Sequence, residues 1–190
     1  MTETIDAATQ DRALKARHRA MWALGDYPIV ASEVIPELGP VLVTATGVRR
    51  GDRVLDVAAG SGNAAVPAAL TGAAVVASDL TPELFTAGRA FAAVHGVDVT
   101  REEGDANRVS DVVARRRTVT VGGHATPEAW RDFWKSVYGP TIVAYRNIAG
   151  DPERVAALDH DLAALAARYD HGTGEIALDW EYLLLTARRA

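Results

Sequence analysis

Two carboxylates and a run of very small residues form the part of this sequence whose spacing can do chemistry. Asp56 lies in the apolar stretch Val54-Leu55-Asp56-Val57, and Ala58-Ala59-Gly60-Ser61-Gly62 follow at once. Residues 64–70 then become helix-prone. Strand, small-residue turn and helix in that order bring backbone amides against a nucleotide-like ligand. A second apolar run, residues 73–77, leads to Ser78-Asp79. Asp79 falls about 20 residues past Gly60, where the tip of the next parallel strand can offer a carboxylate to ribose hydroxyls.

The elements around these residues follow from periodicity. Residues 9–24 read as a helix, stopped by Gly25-Asp26-Tyr27-Pro28, and 29–46 as a second helical stretch that Pro36 and Pro40 should split. Thr81-Pro82-Glu83 has the composition of a helix start, with Thr81 as N-cap. The helix it opens should end at His95-Gly96, before a third strand over 97–102. This β-α-β-α-β order predicts a parallel sheet. The alternation then fails. Residues 109–121 read as a long strand only a few positions after Asp105, too soon for a parallel crossover. Gly122-Gly123 reads as a turn. Thr126 and Asp151 cap helices over 129–138 and 154–169, another helix spans 141–148, and 176–188 hold the last strand.

Composition narrows the function classes. The chain has 190 residues, 48% hydrophobic and 24% charged, as expected of one soluble domain. A net charge of -5 gives no general affinity for nucleic acid. With no cysteine, disulfides, thiolate catalysis and cysteine metal sites are excluded. No apolar run reaches the roughly 18 residues of a membrane span, and the polar, acidic start lacks signal-peptide character. The expectation is a cytoplasmic protein with neither nucleic acid nor membrane as partner.

The ligand can be narrowed from the acids. Gly60-x-Gly62-x-x-Ala65 fits the dinucleotide fingerprint formally. Asp56 argues against NAD, because a dinucleotide-binding strand is apolar up to its first glycine and a carboxylate repels a pyrophosphate. A cationic ligand suits it better. S-adenosylmethionine, with its sulfonium, ammonium and ribose, is one. An NAD-dependent enzyme stays as the less favoured alternative.

Residues 55–63 and 79–84 resemble the "LDVAAGTGN" and "DLTPEL" segments of class I S-adenosylmethionine-dependent methyltransferases, in their small-molecule branch. Residues 20–27, 125–145 and 179–188 resemble that branch as well. The resemblance implies that Asp56, Ala58 and Gly60-Ser61-Gly62 hold the methionine portion of S-adenosylmethionine. It implies that Asp79 takes the ribose hydroxyls, that Leu80 packs on the adenine, and that Asp105 and Ala106 approach the adenine amine. It also implies methyl transfer to a small-molecule acceptor. Complete members of that family have strand order 3-2-1-4-5-7-6. Here the chain passes from strand 3 to what resembles strand 6, so two βα units, roughly 30 residues each, are missing. The expected fold is α/β: a Rossmann-like methyltransferase sheet lacking two central βα units, with an N-terminal helical cap. It forms one domain, with the cap over 1–50, a cofactor-binding βαβαβ over 51–106, and strand-helices-strand over 107–190.

The shortening leaves strand 1 with an open edge. Three outcomes are weighed: the last strand pairs antiparallel with strand 1, two chains complete each other as a homodimer, or the product is inactive. The first is favoured. A catalytically inactive cofactor-binding or interaction protein is the alternative function. No catalytic residue is identified, although His124 and Tyr138 are considered as bases. His18, His95, His124, His160 and His171 show no metal spacing. Trp22 and Tyr27 either close over a ligand or, by the favoured reading, are core aromatics. Trp130, Phe133, Trp134 and Tyr138 read as a core helix face, and Arg115-Arg116-Arg117 as a strand of alternating exposure.

Overall fold

The computed structural model describes residues 7–104 and 109–189. Helix α1 spans Ala7–Trp22. A short helix α2, Tyr27–Ile29, runs on as a π-helical turn, Val30–Val34. Helix α3 spans Leu38–Thr46. Pro36 separates α2 from α3, as expected, but Pro40 does not split α3. It sits in the first helical turn, where an N–H has no partner to lose.

Strand β1 is Arg53–Val57, α4 Ala65–Leu70, β2 Ala74–Asp79, α5 Phe85–Val94 and β3 Thr100–Glu103. The three strands form a parallel sheet with β2 in the middle. The sheet packs on α4 and α5 through a core built almost wholly from alanine and valine: Ala65, Val66, Ala68, Ala69, Val75, Ala77 and Ala92 are all buried. Thr81 does not cap α5. A 3-10 turn, Pro82–Leu84, intervenes, and Thr81 lies buried with its N–H on Asp79.

The second half departs from the parallel plan. Strand β4, Val109–His124, pairs antiparallel with β5, Ile176–Arg189, in a separate two-stranded ribbon. Between them lie α6 Pro127–Val137, α7 Gly139–Ile148 and α8 Pro152–Tyr169. The Thr126 and Asp151 caps form as expected, accepting from the N–H of Ala129 and Arg154. Gly122-Gly123 is not a turn. It is an irregularity inside β4, with Gly123 at φ 91°. Trp130 and Trp134 are buried with Val121, Ile176, Leu178 and Val34, so the α6 aromatics are core, as read.

The expected pairing of the last strand with β1 does not occur. Among the described residues β5 pairs only with β4, and β1 only with β2. Helix α3 touches both α4 and β5, bridging the sheet and the ribbon with a helix instead of strands. Gly39 makes this approach feasible, because a Cβ there would overlap the carbonyl of Asn63. The outer side of β1 stays open, with Val57 45% exposed.

Candidate functional site

The site grows from the C-terminal ends of β1 and β2. Beyond β1 the chain turns through three left-handed residues: Ala58 at φ 57°, Gly60 at φ 54° and Gly62 at φ 96°. The glycines adopt this freely, but Ala58 does so at a cost of about 1–2 kcal/mol, and strain of this kind gathers at ligand-binding turns. The turn is held from three sides. Ala59 N–H donates to the Ser78 carbonyl at 3.1 Å. Asn63 Nδ2 donates to the Ile35 carbonyl at 3.0 Å. Helix α5 comes in at Gly88, where a Cβ would lie 3.0 Å from the Ser61 carbonyl oxygen. Gly88, a weak point by helix propensity, is therefore the position that lets the helix reach the turn.

Asp79 is the brace of this turn. Its Oδ2 accepts the Gly60 N–H at 2.7 Å and its Oδ1 accepts the Thr81 N–H at 2.7 Å. At 7% exposure it is buried. Each oxygen keeps one lone pair, so the carboxylate can accept further bonds. Leu80 next to it is half-buried.

Asp56 has the opposite character. Its Oδ2 is enclosed and has no hydrogen-bond partner among the described residues. Loss of water pushes its pKa up to about 6, and the neighbouring Asp79 adds to the rise. A cavity of about 170 Å³ opens here, lined by Leu38, Leu42, Asp56, Ala58, Asn63 and Ala64 among others. A buried carboxylate oxygen without a partner is unfavourable while it stays unpaired and favourable once a cation pairs with the carboxylate.

The structure thus brings Asp56, Ala58, Gly60, Ser61, Gly62, Asp79 and Leu80 to one end of the sheet. Asp105 and Ala106 lie outside the described residues. Neither residue weighed as a base lines the Asp56 cavity. His124 packs on Phe133, ring centroids 4.8 Å apart, and burial holds its pKa below the usual imidazole range. Tyr138 sits in an aromatic cluster with Trp22, Tyr27 and Trp134. In that cluster Tyr27 Oη accepts the Gly139 N–H; Trp22 and Tyr27 are half-buried there and do not line the Asp56 cavity. Burial pushes the Tyr27 phenol up to about 12.

Two features were not legible in the sequence. Arg19 of α1 bonds Glu83 at 2.9 Å and Glu103 at 2.8 Å, tying the first helix over the sheet end that carries the site. Pairs of opposite charge so far apart in sequence leave no periodic signal. A larger hollow of about 440 Å³ lies between α3, α4 and the end of α5 and shares only Asn63 with the Asp56 cavity. Its polar groups bond within the chain: Thr44 Oγ1 to the Pro40 carbonyl, Asn63 Nδ2 to Ile35, and His95 Nδ1 with the Phe91 carbonyl. It lacks the convergent polar groups of a ligand site. Among the described residues no three acids or histidines cluster as metal ligands, and no single helix is long and apolar enough to cross a membrane.

Two uncharacterized proteins of Mycobacterium tuberculosis are 33% and 32% identical to this chain, over alignments of 275 residues that take in 98% of this chain and 99% of each relative. With 190 residues here and both ends matched, a long internal stretch of those relatives has no counterpart in this chain. A protein-L-isoaspartate O-methyltransferase of Methylorubrum populi is 35% identical over 112 residues, covering 57% of this chain and 53% of that protein. No family model matches the chain. Among solved structures, an S-adenosylmethionine-dependent methyltransferase from Geobacter sulfurreducens in complex with S-adenosyl-L-homocysteine has a TM-score of 0.44 at 16% identity, over 85% of this chain and 97% of that one. TrmN from Thermus thermophilus has a TM-score of 0.35 at 32% identity, over 37% of this chain and 22% of that one. By identity over nearly its whole length the chain belongs to the family of these mycobacterial proteins, and its own site stands on a parallel β3-β2-β1 sheet of α/β type with acids at the tips of β1 and β2.

Proposed function

We propose that this protein binds S-adenosylmethionine at the end of β1 and β2 and serves methyl transfer to a small-molecule acceptor. The observation that carries this reading is the partnerless Asp56 oxygen beside the left-handed Ala58-Gly60-Gly62 turn. A cation is what that oxygen lacks, and the ammonium of the methionine portion supplies one. In this reading Asp79, still able to accept on both oxygens, takes the ribose hydroxyls, and Leu80 packs on the adenine. Asp105 and Ala106 are assigned to the adenine amine by the resemblance alone. The cofactor, when bound, supplies an activated methyl group. The chain's own residues orient it and neutralise its charge, which is most of what in-line transfer requires.

One observation favours the alternative, a cofactor-binding protein that no longer turns over. The Asp56 cavity, about 170 Å³, falls below the roughly 300 Å³ of typical small-ligand pockets, and α3 is seated on the turn through Gly39. Binding of the whole cofactor therefore requires α3 to yield. Calorimetric titration with S-adenosylmethionine and S-adenosylhomocysteine tests the reading. Binding is expected, and Asp56→Ala should weaken it by about tenfold or more. Folded protein that shows no heat at millimolar ligand rejects it. Binding without transfer to any acceptor in a broad screen selects the alternative.

A further inference from the structure

We propose, resting on the cofactor reading above, that helix α3 is an autoinhibitory lid on the Asp56 cavity. Seated through Gly39 it keeps the cavity too small for the ligand, and the hollow on its other flank is the space it moves into as the site opens. Two stripes of the helix line two cavities. Leu38, Gly39 and Leu42 line the cavity of about 170 Å³ together with Asp56. Pro40, Val43 and Thr44 line the hollow of about 440 Å³. At roughly 3.6 residues per turn the two stripes lie on nearly opposite sides of the helix. Movement of α3 toward the hollow therefore enlarges the Asp56 cavity. Arg115, Arg116 and Arg117, all exposed and not alternately as expected, line neither cavity.

Little holds the helix down. Gly39 is its only buried residue. Leu38, Leu42 and Val43 are half-buried and the rest of α3 is exposed. An element with so little buried apolar surface opens at low cost in free energy. Its ends can turn. Before it, Ile35 leaves the π-helical turn at φ -129° and ψ 38°, and Pro36 and Glu37 lie outside any helix. After it, Gly47 closes the helix at φ 68° with open space around it. Two contacts seat the helix. Gly39 meets the backbone of Asn63 so closely that a Cβ would overlap the carbonyl, and Asn63 Nδ2 donates to the Ile35 carbonyl at 3.0 Å. Asn63 directly follows the left-handed turn, so the chain that shapes the site also holds the lid. The ligand favours opening. Asp56 Oδ2 has no partner in the seated state, and pairing of the carboxylate with a cation offsets the loss of the Gly39 seat. Affinity is then reduced by the fraction of molecules that are open.

Two variants of opposite sign and one reporter test this. Gly39→Ala puts a Cβ where the Asn63 carbonyl lies and unseats the helix. Thr44→Trp fills the hollow and blocks the movement. The chain has no cysteine, so Leu42→Cys sets a single thiol in the wall of the Asp56 cavity. In ligand-free protein Gly39→Ala should speed chemical modification of that thiol by about fivefold or more, and Thr44→Trp should slow it. Calorimetric titration of the cysteine-free forms with S-adenosylhomocysteine should show affinity raised by about fivefold or more in Gly39→Ala and lowered in Thr44→Trp. Circular dichroism establishes that each variant is folded. Thr44 is exposed, so Thr44→Trp decides the matter if Gly39→Ala does not fold. A thiol rate indifferent to a folded variant overturns the proposal, as does a faster rate without tighter binding in a protein that binds. If no form binds at millimolar ligand while the thiol rates move as expected, the cofactor reading fails and the lid stands.

Discussion

The two halves of this molecule are held together in different ways. The sheet half has a core of alanine and valine, with side chains so small that backbone meets backbone: α3 on the turn at Gly39, α5 on the turn at Gly88. The ribbon half is held by large rings. Trp130 and Trp134 lie buried against Val121, Leu178 and Trp180, with ring contacts running from Trp134 to Phe133, Tyr138 and Trp180. Both halves contain buried polar atoms without a partner among the described residues, and these differ in kind. In the ribbon half they are the indole N–H groups of Trp130 and Trp134. These are neutral, and burial of the rest of each ring offsets their cost. In the sheet half it is a carboxylate oxygen, which titrates and attracts a cation. Small residues give up packing energy and gain close backbone approach; the half that does so is the half with the site.

The comparison can be broken at its strongest point first. Trp134→Ala should destabilise the protein by about 3–5 kcal/mol, read as a lowered denaturation midpoint and lost near-ultraviolet ellipticity. Little change would mean that the aromatic cluster does not hold the ribbon half together. The second effect has the opposite sign. The Asp56 pKa, about 6, lies above its ordinary value of 3.8. Its stabilising contribution is therefore fully present below about pH 4 and is lost as pH rises through about 6. Asp56→Asn should stabilise the ligand-free protein by about 1–3 kcal/mol at pH 7.5 and hardly at all at pH 4, while weakening S-adenosylmethionine binding. Equal thermal shifts at both pH values would show that the carboxylate is not strained by burial.

The smallest effect lies outside both cores. Asp159 on α8 accepts from Lys135 at 2.8 Å and from Tyr145 at 2.6 Å, which holds its pKa below the usual carboxylate range. The same bond and burial push the Tyr145 phenol up. A depressed carboxyl contributes stability that is present above its unfolded pKa and lost as pH falls through the folded one. Asp159→Asn should cost about 1 kcal/mol at neutral pH and nothing in acid, measured by urea titration at both. A loss as large as that of Trp134→Ala would mean that this polar link between α6, α7 and α8 matters as much as the aromatic packing.

Local chemistry was legible wherever the cause was local. The small-residue turn, Asp56 and Asp79 at the strand tips, the Thr126 and Asp151 caps and the long β4 strand all follow from side-chain size, period and capping groups within a few residues. Thr81 was misread because its N–H went to Asp79, a contact that its own neighbours do not announce. Gly122-Gly123 was misread because a glycine pair serves a turn and a strand irregularity equally well. The loss of an internal segment was also legible, since β4 follows β3 too closely for a parallel crossover.

What the sequence determined by itself was the list of parts: a parallel β-α-β-α-β unit, an acid at each of two strand tips, and a long strand, a set of helices and a last strand whose pairing it did not fix. Only the tertiary structure decided how the shortened halves meet. Pairing of β5 with β1 depended on which surface filled the space between them, and α3 filled it by resting its Gly39 on Asn63. The same packing decided the state of the two acids. Asp79 is satisfied by two backbone amides, whereas Asp56 keeps one oxygen without a partner. That difference arises from enclosure, which depends on every element around the site and on no single stretch of the chain.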